Sequence, residues 1–339
     1  HLDPGNLMNP GKIIDPPKMD DAALFRYASG YKTIALTPAF DWSPWNVQND
    51  PLTEATSAPG SGGDSTGGLA KAVEMCNNNG HCRKFDAGTM CPSYRVTRDE
   101  QHATRGRANT LRLALSGQLG PDALTGDAVH EAQALCVGCK GCKRDCPTGV
   151  DMARMKLEVQ AQRRLRHGLS LKDRLIAHLP AYAAVASRLP WLFNLRNQVP
   201  LLRRLGEHWL GLAADRALPS FRRDTFWRAA ATLKLATQAE LLAAAKPVVL
   251  FVDTFNGHLE SENAIAAVRV LQAAGYTVHA ARGERGQALC CGRTYLAAGM
   301  ADVAKARARQ LLAALLPLAR RGIAIVGLEP SCLLTLRDE

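Results

Sequence analysis

Seven of the ten cysteines in this chain lie between residues 76 and 146, where their spacing suits metal ligation. The densest run is Cys136-Val-Gly-Cys139-Lys-Gly-Cys142-Lys-Arg-Asp-Cys146-Pro147, a C-x2-C-x2-C-x3-C-P pattern. Four thiolates at this spacing can hold an iron–sulfur cube, and in proteins with two such clusters the fourth cysteine ligates the other cluster. The run therefore predicts a second cluster site elsewhere in the chain.

A second, less complete cysteine set lies upstream. On the same template, Cys76 and Cys82 take the first and third positions, Asn79 stands at the second, and Cys91-Pro92 supplies the fourth. If each fourth cysteine ligates the other cluster, one predicted set is complete and consists of Cys136, Cys139, Cys142 and Cys91. The other predicted set is Cys76, Cys82 and Cys146, with one position open. This site could hold a three-iron cluster, or a four-iron cube completed by Asn79, His81 or Asp86.

Zinc and disulfides are weaker interpretations of the same cysteines. Zinc ligands usually come as two C-x2-C pairs or as cysteine with histidine, which the downstream run does not resemble. Disulfides need an oxidising compartment, whereas this cysteine usage is typical of metal ligation in a reducing cytoplasm. The opening His1-Leu-Asp-Pro has no signal-peptide character, and the missing initiator Met predicts that the sequence begins within a longer protein.

Length and charge limit the classes of protein to consider. A chain of 339 residues with 47% hydrophobic composition can form two or three domains with ordinary cores. It has no apolar run of about eighteen residues, so no membrane span is expected. The net charge of +11 is concentrated in residues 151–250, which hold 17 Lys and Arg against 7 Asp and Glu. This basic stretch could face an anionic membrane surface or an acidic redox partner, but no recognisable module predicts nucleic-acid binding.

Helices are predicted on both sides of the downstream cysteine run. One spans Thr104 to Leu119 and ends at Gly120-Pro121, and another runs from Asp151 to about Arg166. The Gly/Ser-rich stretch at residues 60–68 has the composition of a flexible linker. Residues 169–245 have helical spacing interrupted by four prolines, namely Pro180, Pro190, Pro200 and Pro219. The aromatic side chains there either pack against neighbouring helices or dock on a membrane or partner; they are Trp191, Phe193, Trp209, Phe221, Phe226 and Trp227.

The pattern after Pro247 predicts a small parallel α/β sheet. Its predicted strands are Val248–Val252, Thr277–Ala281 and Ile323–Leu328, separated by helices at Ala264–Ala274 and Met300–Arg320. Cys290 and Cys291 follow the second strand, and Cys332 follows the third. Because ligands bind beyond the carboxyl ends of parallel strands, these three cysteines predict an additional thiol, metal or cluster site. The alternative is that they are small buried residues beside a tight turn at Gly292.

These motifs together resemble a known family. The Cys136–Pro147 run and the Cys-Cys-Gly motif are similar to the iron–sulfur subunits of glycolate oxidase, anaerobic glycerol-3-phosphate dehydrogenase and heterodisulfide reductase. A closer resemblance is to fused proteins of the D-lactate or D-2-hydroxyglutarate dehydrogenase type, in which an FAD-linked oxidase half precedes ferredoxin and Cys-Cys-Gly parts. The segments that carry it are Cys76-Asn-Asn-Asn-Gly-His-Cys-Arg, Gly88-Thr-Met-Cys-Pro-Ser-Tyr94, Thr104-Arg-Gly-Arg-Ala-Asn109 and Glu329-Pro-Ser-Cys332.

The resemblance implies a multidomain, α-rich fold. The opening segment, Leu2 to Lys12, resembles the last turn of an FAD-linked oxidase domain, whose remnant would cover residues 1–44. The implied order after it is a linker at 45–69, an α-helical two-cluster ferredoxin domain at 70–168, a basic helical region at 169–245 and a truncated α/β Cys-Cys-Gly domain at 246–339. Where the family often has an earlier cysteine near the first strand, this chain has Asp253-Thr-Phe-Asn256.

The implied function is that of an oxidoreductase acting on CH–OH donors, with no catalytic residue in this chain. It would be the iron–sulfur portion of an FAD-dependent D-2-hydroxy-acid dehydrogenase, with D-lactate, D-2-hydroxyglutarate or glycolate as the type of substrate. Two clusters, one 4Fe-4S and one 4Fe-4S or 3Fe-4S, would relay single electrons from FAD, bound in the missing N-terminal part, to a quinone or protein acceptor. The expected location is the cytoplasm, with peripheral association at the inner face of the membrane.

Two alternatives to this function stay open. One is a stand-alone iron–sulfur subunit of a glycerol-3-phosphate dehydrogenase or heterodisulfide reductase-like complex, and the other is a structural cluster or zinc protein. For the redox function, Lys140, Lys143 and Arg144 would place positive charge near the complete cluster and favour its reduced state. Arg105 and Arg107 could act similarly on the upstream site, or could be solvated charges on a helix.

Overall fold

The computed structural model describes residues 3, 5, 7, 11, 15–21, 31–46, 58–85 and 88–338. The chain divides into two compact units, His1–Met152 and Ala153–Glu339. Its described part is rich in helix and contains one small parallel sheet, which confirms the predicted fold class at this level. The finer domain divisions stay predictions. Leu2 to Lys12, the predicted end of an oxidase domain, lies largely outside the described residues.

The first unit is built around helix α3, which packs against α1 and α4. Its helices are α1 (Leu69–Glu74), α2 (Pro92–Thr97), α3 (Thr104–Leu115), α4 (Asp127–Ala134) and α5 (Gly141–Asp145). Apolar residues on the facing sides of α1, α3 and α4 are buried, among them Val73, Leu111 and Val129. Helix α3 is the longest of the five, so it provides the surface on which the cysteine-bearing loops are built.

Helix α3 ends four residues earlier than its sequence pattern predicts. The backbone of Gly117 has a φ of 74°, in the left-handed region where glycine is favoured. The N–H of Gly117 then donates to the carbonyl of Ala114, and that of Gln118 donates to Leu113. Such bonds satisfy the last helical carbonyls and end a helix, so Gly117 rather than Gly120 sets the boundary.

The Gly/Ser-rich stretch differs from the flexible linker that its composition predicts. In its described part, the buried carboxylate of Asp64 accepts hydrogen bonds from the N–H groups of Gly60 (2.8 Å) and Thr66 (2.9 Å). The hydroxyl of Thr33 also donates to Asp64 (3.2 Å). Glycine is needed at position 68, where a Cβ would lie 2.4 Å from the carbonyl oxygen of Trp42. One acidic side chain therefore organises a compact turn that leads into α1.

The helices of the second unit account for the four prolines in residues 169–245. Pro180, Pro190 and Pro200 lie in the first turns of helices, where the missing N–H costs nothing, and Pro219 lies in a non-helical segment. The helices up to the sheet are α6 (Met152–His167), α7 (Leu171–Ala177), α8 (Leu179–Ala186), α9 (Pro190–Phe193), α10 (Leu195–Gln198), α11 (Pro200–Leu210), α12 (Phe226–Ala229) and α13 (Gln238–Ala243). The region is thus a series of short helices, each started by its own sequence signal.

The predicted parallel sheet is present, with strand order β2-β1-β3. Its elements are β1 (Pro247–Phe251), α14 (Thr254–His258), α15 (Ser261–Ala273), β2 (Thr277–Ala280), α16 (Arg293–Ala297), α17 (Ala301–Ala319), β3 (Ala324–Gly327) and α18 (Pro330–Asp338). Val249 and Phe251 of β1 belong to the core that includes α17 residues, whereas Val248, Leu250 and Val252 belong to the core that includes α15 residues. The central strand is therefore covered on both faces.

The aromatic side chains of the basic region differ in burial. Phe226 is fully buried in the α15-side core, with Trp227 packed against it. Phe193 and Phe221 pack against one another and against Tyr182. Trp191 and Trp209 instead face solvent. Within the described ranges, the structure contains no helix whose length and apolar content would allow it to cross a bilayer.

Candidate metal centre

The downstream cysteines extend from the turn after α4 to the residue that follows α5. The backbone N–H of Cys136 donates to the carbonyl of Gln133 at the end of α4 (3.0 Å). Gly138 and Lys140 then adopt positive φ values of 65° and 57°, so the chain reverses between the ligand positions. Cys139 is exposed, Cys142 is buried in α5, and Cys146 is half-buried with its sulfur 3.3 Å from the hydroxyl of Thr148. The predicted motif therefore forms a tight, partly open loop.

The upstream cysteines follow α1, and both are buried. Cys76 lies just beyond the end of the helix, and Cys82 lies in a short 3-10 turn at His81–Arg83. Between them, the exposed Asn79 accepts a hydrogen bond from the N–H of His81 (2.8 Å) and donates to Asn77 (2.6 Å). The side chain at the predicted open ligand position is therefore bound within its own turn. The His81 residue is half-buried, and Asp86 lies outside the described residues.

Asp145 links the segment before Cys91 to the downstream run. Its carboxylate accepts from the backbone N–H of Thr89 (2.7 Å) and Met90 (3.1 Å), and from the Thr89 hydroxyl (3.3 Å). The hydrogen bonds from Thr89 and Met90 hold the pKa of Asp145 below its usual range. At Gly141, a Cβ would lie 2.8 Å from the Thr89 hydroxyl oxygen, so α5 approaches this segment closely. These contacts bring the two cysteine-bearing loops together.

The sulfur of Cys91 lies in a buried hydrogen-bonded group with Thr104 and Cys82. It accepts from the N–H of Thr104 (3.0 Å) and lies 2.8 Å from the Thr104 hydroxyl. Cys82 accepts hydrogen bonds from the side chain of Cys91 and from the backbone N–H of Arg105. These bonds lower the pKa of Cys82 to about 6, although burial acts in the opposite direction. The hydrogen bond to Cys82 and burial raise the pKa of Cys91. The structure therefore brings Cys82 and Cys91 together.

The division of the seven cysteines into two ligand sets stays a prediction. The sequence assigns Cys82 and Cys91 to different clusters, whereas the structure places their sulfurs in contact. Among the described residues, no group of three or more Cys, His, Asp or Glu side chains has the geometry to hold a metal ion. The donor set nevertheless fits an iron–sulfur site, because the cysteines lie on adjoining loops and backbone N–H groups point at their sulfurs.

The basic side chains near this centre are largely compensated. Lys140 and Lys143 both form ion pairs with the buried Asp151, at 3.7 Å and 3.8 Å. Arg105 pairs with Glu100 at 2.7 Å. Arg107 is buried and donates to the carbonyl of Ala132 (2.7 Å), so it is not a solvated helix charge as one interpretation held. Arg144 is the most exposed of the predicted group, at 85%, and its Nε lies 3.9 Å from a carboxylate oxygen of Asp145.

The three C-terminal cysteines converge in the second unit. The sulfurs of Cys291 and Cys332 lie 3.0 Å apart within the core on the α17 side of the sheet. A hydrogen bond to Cys291 and burial raise the pKa of Cys290. The hydrogen bond between Cys290 and Cys291 lowers the pKa of Cys291. The hydrogen bond to Cys332 and burial have the larger, opposite effect, so the pKa of Cys291 is raised to about 12. Gly292, with a φ of 86°, makes the predicted tight turn. The additional thiol or cluster site stays a prediction.

Sequence reasoning missed Asp145, Thr104 and Asp151. Asp145 accepts hydrogen bonds from backbone N–H groups far away in sequence, and the N–H of Thr104 donates to the sulfur of Cys91, so no spacing pattern marks these two residues. Asp151 pairs with Lys140 and Lys143 at separations that form no recognised motif. The signal that could have found Asp145 is its place between two predicted ligands, Cys142 and Cys146. Thr104 and Arg105 open a segment already singled out by its resemblance, and both contribute N–H groups to the site.

Comparison with known proteins supports an iron–sulfur domain in the first unit. Residues 72–150 match the model of the 4Fe-4S dicluster domain, which supports the two predicted iron–sulfur clusters. The whole chain is 26% identical to D-2-hydroxyglutarate dehydrogenase from Escherichia coli and 23% identical to that from Haemophilus influenzae, and it covers 34% of each. A stretch of 71 residues, 21% of the chain, is 31% identical to a probable glycolate oxidase iron–sulfur subunit from Bacillus subtilis and covers 15% of that protein. No solved structure matches.

The chain spans about a third of the length of the D-2-hydroxyglutarate dehydrogenases that it matches, in their C-terminal part. The matches confirm the family resemblance inferred from the cysteine motifs, because the dicluster model covers all seven clustered cysteines and their adjoining helices. The chain therefore carries a 4Fe-4S dicluster domain and is homologous to D-2-hydroxyglutarate dehydrogenases and to a glycolate oxidase iron–sulfur subunit.

Proposed function

We propose that this chain is the iron–sulfur electron-transfer portion of an FAD-dependent D-2-hydroxy-acid dehydrogenase. The observation that carries the proposal is the pair of adjoining cysteine-bearing loops, joined by Asp145, in a chain homologous to D-2-hydroxyglutarate dehydrogenases. Bound clusters would accept and release electrons one at a time, whereas oxidation of a hydroxy acid releases two. The flavin and the hydroxy acid would bind in a part of the enzyme outside this chain.

The residues of this chain would bind the clusters and set their potentials. Cys136, Cys139, Cys142 and Cys91 would hold one cluster, and Cys76, Cys82 and Cys146 would supply ligands to the other. Thr104 would keep its N–H directed at the sulfur of Cys91. Hydrogen bonds to sulfur and burial are the protein's means of tuning such clusters, so Thr104 and the buried setting would act on the potential.

The acceptor is proposed to be a quinone or an electron-transfer protein. Support comes from the basic character of residues 151–250, which favours an anionic surface or an acidic partner. We place the enzyme in the cytoplasm, peripherally at the inner face of the membrane, where both kinds of acceptor are accessible. The hydroxy acid is proposed to be of the D-2-hydroxyglutarate, D-lactate or glycolate type, after the relatives.

The test uses the full enzyme that contains this chain and its flavin part. Anaerobic addition of D-2-hydroxyglutarate, D-lactate or glycolate is expected to bleach the flavin and then to produce the EPR signal of reduced clusters. The Cys142→Ser variant should still bleach the flavin but should lose most of the cluster signal and of quinone reduction. Val96→Ser, a change at an exposed residue of the same unit, is the matched control. Unimpaired quinone reduction by the Cys142→Ser enzyme would refute the proposal.

A further inference from the structure

Helix α11 (Pro200–Leu210) turns its apolar side to solvent. Leu201, Leu205 and Trp209 are spaced four residues apart, so they form one row along the helix. They are 64%, 45% and 79% exposed, respectively. A helix at the surface of a globular protein ordinarily buries such a row, whereas α11 leaves it uncovered.

Polar contacts fix α11 in this orientation. On the side away from the apolar row, Arg203 donates to the carbonyl of Asn197, and Gly206 lies against the side chain of Arg196. Arg196 also donates to the carbonyls of Leu212 and Ala213, both at 2.9 Å, and so ties down the chain that follows α11. The exposed row is therefore the outward face of an anchored helix.

Other exposed apolar side chains belong to the same part of the chain. Of the 29 large apolar side chains that are exposed among the described residues, 12 lie within residues 171–210. They include Trp191 and Leu192 of α9, which are 61% and 48% exposed. Helices α9, α10 and α11 contact one another in series. Exposed apolar residues are normal when scattered, but a concentration of this kind marks an interaction surface.

The charges in this part of the chain favour one kind of partner. Residues 171–210 contain six Lys and Arg against two acidic residues, and Arg174, Arg188 and Arg204 are exposed. Two exposed tryptophans, an outward apolar row and an excess of positive charge in the same stretch of chain are together typical of a segment that lies in the interface of an anionic bilayer. A protein partner would meet the apolar row equally well, but the excess of positive charge favours anionic headgroups.

We propose that α11 docks this protein on an anionic lipid surface, with Leu201, Leu205 and Trp209 inserted at the boundary between headgroups and acyl chains. The role of this docking rests on the proposed function, because docking would hold the clusters beside a quinone dissolved in the membrane. Binding to lipid itself does not depend on the redox activity. Exposed arginines supply long-range attraction to the bilayer, and the apolar row supplies the insertion.

The experiment is co-sedimentation of the full holoenzyme with vesicles of phosphatidylcholine alone or of phosphatidylcholine mixed equally with phosphatidylglycerol. Binding is expected only to the mixed vesicles, with weakening at high salt. The double variant Leu205→Ser, Trp209→Ser should bind about tenfold more weakly or worse, because each side chain would lose its burial in lipid. The control is Val270→Ser, Leu312→Ser, which alters equally exposed apolar residues on α15 and α17 of the same unit.

Several results would overturn the proposal. One is that phosphatidylglycerol does not increase binding to vesicles. Another is that the control variant loses as much binding as the double variant. The third is that the wild-type enzyme is a dimer that the double variant abolishes, which would mean that a second copy covers the apolar row of α11. Hydroxy-acid oxidation with a water-soluble dye as acceptor, measured without lipid, separates this proposal from the proposed function. If the dye reaction proceeds normally and vesicle binding fails, only the docking is wrong; if the dye reaction fails in the wild type, the proposed function is wrong.

Discussion

At the scale of single residues, Asp145 has the largest structural effect of any non-cysteine side chain in the candidate centre. It accepts three hydrogen bonds from Thr89 and Met90, which lie 55 or 56 residues earlier in sequence. An ionised acceptor makes stronger hydrogen bonds than a neutral one, and here it also fixes the approach of Cys91 to α5. Asp145 therefore positions ligands without being assigned as one.

Replacing Asp145 with alanine is expected to release the Thr89–Cys91 segment from α5. Because Cys91 would then lose its fixed position, we expect at least one cluster to be lost on purification, with iron per chain falling to about half of the wild-type value. Iron analysis and the EPR spectrum of the reduced protein measure this effect. Glu131→Ala, on the exposed side of α4, is the matched control and should keep its iron. Full iron content in Asp145→Ala would contradict the positioning role.

The sequence predicted the cysteines but not the residues that support them. Cysteine spacing is informative because tight loops allow only a few separations between ligands. Asp145 and Thr104 contact backbone groups brought near by folding, so their partners leave no local pattern. Arg107 illustrates the same limit, since the sequence cannot distinguish a solvated arginine from one that is buried and bonded to the carbonyl of Ala132.

At the scale of secondary-structure elements, local signals predicted the second unit well. The three strands lie within a residue or two of their predicted limits, because apolar runs between glycines and helices leave few alternatives. The start of α3 at Thr104 was predicted, whereas its C-terminal end and the turn at Asp64 were missed. Gly117 and Gly120 both have a positive φ, so the sequence offers two possible ends for the helix. Asp64 accepts a hydrogen bond from Thr33, which is distant in sequence and therefore leaves no local signal.

Helix α14 (Thr254–His258) offers a prediction about pH. His258 is buried near Ser187, and burial lowers the pKa of its imidazole below the usual 6.5. The unfolded chain therefore takes up a proton as the pH falls through 6.5, while the folded protein stays neutral until a lower pH. The free energy of unfolding should fall over this range because of His258.

The variant His258→Asn is expected to show a weaker loss of stability between pH 7 and about pH 5 than the wild type. Urea unfolding at both pH values measures the difference in the free energy of unfolding. Each protein is compared with itself at the two pH values. Any loss in the free energy of unfolding that the substitution causes at both pH values, about 1–2 kcal/mol for a buried site, therefore cancels. Parallel pH dependences in the two proteins would show that His258 is not the group responsible.

At the scale of the whole molecule, the two units carry different kinds of chemistry. The first holds the dicluster domain, whose cysteines lie on loops around α3. The second joins a basic helical region to a parallel sheet, with Cys290, Cys291 and Cys332 near the sheet. The sequence predicted both kinds of architecture. The sequence also assigns the seven clustered cysteines to two ligand sets, and that assignment stays a prediction, because it depends on how loops distant in sequence meet.

The most direct test of the account is to count iron and acid-labile sulfide in the anaerobically reconstituted protein and to record its EPR spectrum. About seven or eight irons per chain and signals from two clusters are expected, since one predicted site has four cysteines and the other is predicted to hold three or four irons. Fewer than about six irons, or stoichiometric zinc in a colourless protein, would contradict the two-cluster electron-transfer function.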